Sequence, residues 1–410
     1  MIAASQPLRV LLATETFAPE IGGGERQASL LAHGLLRRGH QVTLLTRRSR
    51  SELPEEVVDN GLRILRLPPV GAGRGVRWKL QMRALPEFVR RRREYDVLLI
   101  SGYKALGLPG LMAGRWYGKV VVLKADSLGE MSGEFFRAGL WKLRMKPDSA
   151  LLRSVLRLRA GYLRMADAHV AVSTEVEREL LAQSVPQERI HRIANGVEMA
   201  RFQPATPTQR LQLREQFSLP AGPVLVYTGR LVSYKGLPLL LDAWREISAR
   251  RPGTLVLVGE GGGDVHNCEA QLQAFVAAHG IGARVWFAGA VTRVEDWLKA
   301  ADLFVFPTEN EAFGLSLVEA MACGLPAVTT EVGGIADYAA HGVNALVIKA
   351  GDRHAMIAAI ERLLDDGTLA ARLGQAACET VRSRFGGDVI AMQYEGLLSS
   401  LVDKRSRPAS

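Results

Sequence analysis

Glu309-Asn310-Glu311-Ala312-Phe313-Gly314-Leu315-Ser316-Leu317-Val318-Glu319-Ala320-Met321-Ala322-Cys323-Gly324-Leu325-Pro326 is the most informative stretch of this 410-residue chain. Just ahead of it, residues 303–307 read Leu-Phe-Val-Phe-Pro, an apolar run of strand length. Just after it, residues 327–330 form a second short run of strand character. Between them a polar loop gives way to a helix that begins near Gly314 and stops at Gly324. Strand, helix and strand in that order make a unit of parallel sheet covered by a helix.

The two glutamates of this stretch differ in setting. Glu311 sits on the loop and Glu319 on the helix, eight positions later. Were both helical, they would stand about 80° apart around the axis and ~12 Å along it. Carboxylates at that separation do not share a proton; they suit two sets of hydroxyl groups, one on a sugar and one on a ribose. The amides of Gly314 and Leu315, at the helix start, point where a phosphate or sugar oxygen could lie. A solvated Glu319 and a Glu311 that merely complements the helix dipole fit the local sequence equally well.

Working outward, strand-like runs at residues 224–228, 254–258 and 284–287 precede this segment, with helical stretches between them. An earlier alternating series runs through residues 8–13, 41–46, 97–101, 120–124 and 169–173. Its first helix, residues 25–38, carries Ala28, Leu31 and Leu35 on one face and stops at Gly39. Residues 203–209, with Pro204 and Pro207, break the periodicity and read as a linker. The fold class is therefore α/β, with two doubly wound parallel-sheet, Rossmann-like domains in succession. Such sheets take ligands at the carboxyl ends of their strands, and a cleft between two domains is a favoured pocket.

Length alone favours two domains over one. No apolar run approaches the ~18 residues that span a bilayer, and residues 10–13 read as a strand rather than a signal peptide. Cys268, Cys323 and Cys378 are an odd, widely spaced set. They argue against a disulfide framework or a zinc site and fit a reducing cytoplasm. The net charge of +10 is uneven: residues 1–200 hold 32 basic and 20 acidic side chains, residues 201–410 hold 20 and 22. The excess gathers at Arg90 to Arg93 and between Arg137 and Arg164. Nucleic acid, an anionic membrane face and an anionic substrate would each be drawn to such a surface, and a merely solvated arginine-rich face has the same composition.

Three loops after strands are candidates for phosphate. Gly22-Gly23-Gly24 lies at a helix start, where bare backbone and unpaired amides can approach an anion. No Gly-Lys-Ser/Thr follows, which argues against a P-loop nucleoside triphosphatase. Gly259-Glu260-Gly261-Gly262-Gly263 reads chiefly as a turn. Gly229-Arg230-Leu231-Val232-Ser233-Tyr234-Lys235-Gly236 places two cations five residues apart, Arg230 as a forked donor and Lys235 as a compact charge.

Taken together, these segments resemble the retaining family-4 glycosyltransferases of GT-B fold over nearly the whole chain. The Glu-x7-Glu stretch with the Ala-Met-Ala-Cys-Gly-Leu-Pro that follows carries the likeness. Asn195-Gly196-Val197 with Phe202 and Pro204, the Gly-Arg…Lys-Gly stretch and Gly333-Gly334-Ile335 support it. The resemblance implies an acceptor-side domain over residues 1–202, completed by a crossover helix within 388–410, and a donor-binding domain over 203–387. It implies that Glu311 touches donor-sugar hydroxyls and Glu319 the ribose, while Phe313, Gly314 and Leu315 lend backbone amides. Arg230 and Lys235 would hold the diphosphate, with Gly22, Gly23 and Gly24 serving the donor phosphate from the other domain. The nucleotide-diphosphate sugar is then a co-substrate, and neither metal nor other cofactor is needed. The acceptor would be a glycan or a lipid-linked molecule, reached in the cytoplasm or at the inner membrane face through the basic first half.

The chain also departs from that pattern. After the strand ending at Lys124, many relatives place a histidine that contacts the donor sugar; here Asp126 and Ser127 follow, either of which could replace it, and an aspartate that only forms the turn fits equally well. Asp337 stands where the family usually has glutamate, and Ala345 where glycine is common. None of the eight histidines pairs at a metal-ligand spacing. Trp78, Trp116 and Trp141 lie among basic residues and could meet lipid or sugar, although tryptophans more often pack in cores. A nucleotide-sugar epimerase of the same architecture would need acid and base groups not found as a set. The non-catalytic reading is a nucleotide-sugar-binding protein that has lost turnover, and the intact set of Arg230, Lys235, Glu311 and Glu319 speaks against it. Nucleic-acid binding finds no reading motif.

Overall fold

The computed structural model describes residues 6–20, 22–71, 74–133 and 150–406. They form two compact units, one of the residues up to Gly196 joined by those from Gly387 onward, the other Val197–Gly386.

The first unit runs β1 (Arg9–Thr14), α1 (Gly23–Arg37), β2 (Gln41–Arg47), β3 (Glu56–Asp59), β4 (Leu62–Leu67), α2 (Arg74–Arg90), β5 (Val97–Ser101), α3 (Tyr103–Trp116), β6 (Val120–Ala125), α4 (Ala150–Leu163), β7 (Ala168–Ala171), α5 (Thr174–Ala182) and β8 (Ile190–Arg192). The eight strands lie in the order β3-β4-β2-β1-β5-β6-β7-β8. Only β3 pairs antiparallel, through the two-residue Asn60-Gly61 turn to β4, both residues at positive φ. The central strands are buried along their length, as a parallel sheet covered on both faces requires.

The second unit runs α6 (Pro207–Gln216), β9 (Val224–Thr228), α7 (Leu237–Arg250), β10 (Thr254–Val258), α8 (Glu269–Ala278), β11 (Val285–Gly289), α9 (Val294–Ala300), β12 (Leu303–Phe306), α10 (Leu315–Ala322), β13 (Ala327–Thr330), β14 (Leu346–Ile348), α11 (Arg353–Asp365) and α12 (Gly367–Phe385). Its strands are all parallel, in the order β11-β10-β9-β12-β13-β14. The order reverses between β9 and β12, the place where such sheets bind ligands. The expected linker is in part a helix start. Pro207 opens α6, and the Thr206 hydroxyl accepts the Gln209 amide at 3.2 Å. Proline is well suited there because the first helical amide has no partner to lose.

The chain then returns to the first unit as α13 (Gly387–Ser406). Ile390, Tyr394, Leu397 and Leu398 share one core with Ala28, Leu31 and Leu35 of α1. Met392 on the same helix faces solvent at 53% exposure. The helix repeat turns it off the stripe set by residues 390, 394 and 397. No described helix is long and apolar enough to cross a membrane.

Leu398 is fully buried in the α1–α13 core. Leu398→Ala is expected to destabilise the first unit by about 2–5 kcal/mol, the usual cost of emptying such a position. Chemical denaturation followed by tryptophan fluorescence would measure it.

Candidate functional site

The loops leaving β9 and β12 meet where the strand order reverses. A Cβ added to Gly236 would lie 2.0 Å from the Pro307 carbonyl oxygen, and Gly236 has φ +70. Only glycine suits that backbone and that approach. Immediately before it, a short turn at Ser233–Lys235 swings Lys235 beneath the sheet edge. Its ammonium donates to Glu311 Oε2 at 2.5 Å and to the Asn310 carbonyl at 3.4 Å. It also lies 5.3 Å and 5.6 Å from the ring centres of Tyr234 and Phe306. A lysine side chain this buried needs such partners, since an isolated charge in that setting would be costly.

Arg230 is held from two sides. One terminal nitrogen pairs with Asp264 Oδ2 and the other donates to the Tyr234 hydroxyl at 2.8 Å. Its side chain stays 61% exposed, so part of the guanidinium faces water. Asp264 belongs to the glycine-rich loop after β10, the one read from sequence as a turn. Backbone bonds from Leu231 to Glu260 (3.0 Å) and Ser233 to His266 (2.9 Å) fasten that loop to the Arg230 segment.

On the β12 side, Gly314 caps α10 with φ +92, and a Cβ there would lie 2.7 Å from the Tyr338 hydroxyl. That hydroxyl donates to the Phe313 and Gly314 carbonyls at 2.9 and 3.2 Å. Phe313, Tyr338 and Phe385 meet tilted and edge-to-face in one aromatic cluster, which supports the start of α10. Leu315 is the first helical residue, and Glu319 lies buried on the same helix. The Gly334 amide donates to the Glu311 carbonyl at 3.1 Å, tying the paired glycines into the site.

The first unit holds the other candidates. Gly22 caps α1 in extended backbone and Gly23 begins it. Glu25 curls back over this start, bonded to the Thr16 hydroxyl, and its carboxylate lies where a Gly22 Cβ would go; Gly24 has open space. Asp126, at the end of β6, pairs with the buried Lys124 ammonium and accepts from Ser101 Oγ at 2.8 Å. Four residues on is Glu130, which the sequence reading passed over. It accepts the Tyr103 amide at the start of α3 (2.9 Å) and the Ser127 hydroxyl (3.0 Å). Burial, then the nearby Asp126 carboxylate, push the Glu130 pKa up to about 7 against the pull of Lys104. Its setting comes from burial and from the Tyr103 amide, which no local spacing signals.

Charge and aromatic placement differ from expectation in two ways. Arg90 and Arg91 pair with Glu87, and Arg91 also with Glu94, so much of that basic run is neutralised at short range. Trp78 and Trp116 are 66% and 61% exposed rather than in a core. Trp141, and the part of the second basic run within residues 134–149, lie outside the described residues.

The family described as Glycosyltransferase Family 4 matches residues 21–201, and that described as Glycosyl transferases group 1 matches residues 222–366. A D-inositol 3-phosphate glycosyltransferase of Catenulispora acidiphila is 33% identical over 318 residues, covering 75% of this chain and 71% of its own. The chain belongs to the family-4 glycosyltransferases. This glycosyltransferase is also 31% identical over 268 residues to the lipopolysaccharide core biosynthesis mannosyltransferase LpsB of Rhizobium meliloti, covering 62% of this chain and 74% of that one. Among solved structures, sucrose-phosphate synthase from Thermosynechococcus elongatus superposes with a TM-score of 0.79 at 25% identity, over 97% of this chain and all of that one. Anabaena Alr3699/HepE, solved with UDP and glucose, gives 0.76 at 22% identity, over 96% of this chain and all of that one. The fold of the glycosyltransferase is GT-B.

Glu130 supplies a test of the first-unit cluster. Its carboxyl is raised from an ordinary 4.5 to about 7 in the folded protein, so between those values the folded state holds a proton that the unfolded chain has lost. That proton linkage makes stability fall as pH rises through the window and level off above about 7. Glu130→Gln should remove this slope, its stability gaining on wild type as pH rises. Denaturant titrations of both proteins across that range would check it.

Proposed function

We propose that the glycosyltransferase moves a hexose from a UDP- or GDP-sugar to an acceptor hydroxyl with retention of anomeric configuration, and without a metal ion. The observation that carries this is the junction of Lys235, Glu311, Arg230 and the start of α10 at the switch point of the second sheet. Arg230 and Lys235 would hold the diphosphate, and amides at Phe313, Gly314 and Leu315 would add donors. Glu311, leaving Lys235, would accept from sugar hydroxyls, and Glu319 would bind the ribose. Asp126 is the first unit's candidate group for donor hydroxyls, and Gly22, Gly23 and Gly24 are its candidate backbone for donor phosphate.

The chemistry asks chiefly for stabilisation of negative charge on the departing phosphate beside an oxocarbenium-like sugar. Fixed cations and helix amides aimed at that phosphate supply it without reorganisation at the moment of reaction. The acceptor oxygen attacks the face from which the diphosphate leaves, and the departing phosphate oxygen takes the acceptor proton. Bond making, bond breaking and proton transfer then balance with no separate general base. The neighbour solved with UDP and glucose, and the relatives named for inositol phosphate and lipopolysaccharide core, support a nucleotide hexose donor and a polar glycan or lipid-linked acceptor.

Two measurements test this. A panel of nucleotide sugars should yield one that protects against thermal unfolding by about 2.7 kcal/mol at 100 times its dissociation constant. Glu311→Ala should abolish transfer while the protein still folds, its unligated unfolding midpoint lowered because buried Lys235 loses its carboxylate partner, and transfer by wild type should persist in chelator. Full activity in Glu311→Ala would refute the assignment.

We further propose that the first unit rests on an anionic membrane face. Exposed Trp78 and Met82 on α2, and Val155 and Leu158 on α4, stand beside exposed Arg77, Lys79, Arg83, Arg153 and Arg157. Apolar side chains flanked by cations suit a headgroup layer, with roughly 1 kcal/mol for each basic residue near anionic lipid. Vesicles containing phosphatidylserine should retain the protein at low salt and release it at high salt. A variant with Arg153, Arg157 and Leu158 all changed to Ser should be retained markedly less. Equal retention on neutral vesicles would end the idea.

A further inference from the structure

The two cations assigned to the diphosphate are each paired with a carboxylate in the protein alone: Lys235 with Glu311, and Arg230 with Asp264. Two positive and two negative charges make the group neutral before any ligand arrives. Diphosphate binding is then an exchange of partners rather than a capture of idle charge. The two carboxylates differ in what they do next. Glu311, once it leaves Lys235, has sugar hydroxyls to accept from. Asp264 has no such use.

Asp264 is also built in. Its Oδ1 accepts the His266 amide at 3.0 Å, and its own carbonyl accepts the Asn267 amide at 3.1 Å. Asn267 in turn bridges to Val232, next to the Arg230 segment. The aspartate side chain is only 17% exposed, against 61% for Arg230. The carboxylate is therefore the fixed partner, and the long arginine is the one that can swing. The Tyr234 hydroxyl accepts from the other terminal nitrogen of the same guanidinium.

Resting on the proposal that Arg230 grips the diphosphate, we infer that Asp264 is a positioning residue that competes with the nucleotide for Arg230 and so promotes release of the nucleoside diphosphate. Once the product phosphate gives the acceptor proton up to solvent, it carries one more negative charge than the donor did and would bind the two cations harder. A fixed carboxylate beside the arginine opposes that gain, because like charges at this range repel. It also takes the guanidinium back as the product departs.

The test measures dissociation constants of UDP, GDP and ADP, each alone, by calorimetry on wild type, Asp264→Asn, Arg230→Ala and the double variant. Asn keeps the acceptor for the His266 amide and removes both the charge and the second oxygen that Arg230 pairs with. Asp264→Ser, whose hydroxyl can make the same turn bond, serves if the Asn protein unfolds. The expected result is about tenfold tighter binding in Asp264→Asn, equivalent to about 1.4 kcal/mol. That gain should vanish in the Arg230→Ala background, and product inhibition should deepen in Asp264→Asn turnover. A merely structural aspartate would not strengthen binding when removed. If Arg230→Ala weakens binding but Asp264→Asn does not tighten it, the competition is overturned and the donor site stands. If Arg230→Ala leaves binding unchanged, or no nucleoside diphosphate binds at all, the donor reading and this inference fall together.

Discussion

At Gly236 the backbone comes so close to the Pro307 carbonyl that a single added carbon would lie 2.0 Å from it. That approach joins the end of β9 to the end of β12, the two strands between which the sheet order reverses. It sets Lys235 in reach of Glu311, although 76 residues separate them in sequence. With the pairing made, the Arg230 turn lies against the loop after β10 and the polar loop leads into α10. The geometry thus rests on backbone packing first and on charge second. Oppositely charged side chains on two mobile loops would contribute little; on loops fixed this tightly they define one site.

Several elements were legible from residue patterns alone. Strands 254–258 and 327–330 stand where the apolar runs put them, and the α10 segment begins and ends at its glycines. The β3–β4 hairpin was overlooked despite Asn60-Gly61, because the exposed strand Glu56–Asp59 carries no alternation of apolar residues to announce it. Strand β14 is only three residues long, too short for any periodicity. The tryptophans misled for a related reason. Composition gives a residue's average fate, and Trp78 and Trp116 depart from it.

Residue patterns group candidate site residues only where these lie near one another in the chain, as Arg230 and Lys235 do. They miss partners that come from distant loops. Asp264 sits in a glycine-rich run that signals a turn and nothing more, yet the fold places its carboxylate on Arg230. Glu130 drew no notice in the sequence, and it is burial and Asp126 that raise its pKa to about 7. Those effects depend on tertiary neighbours that no local spacing encodes.

The return of α13 bears on how the chain is made. The second unit is one unbroken stretch, Val197–Gly386, whereas the first is split around it. Ile390, Tyr394, Leu397 and Leu398 complete the first unit's core and leave the ribosome after the whole of the second. Domains fold as units during synthesis, so the half that begins first must wait, its apolar face uncovered, while its younger neighbour closes. A chaperone meeting this nascent polypeptide would find that waiting surface on α1.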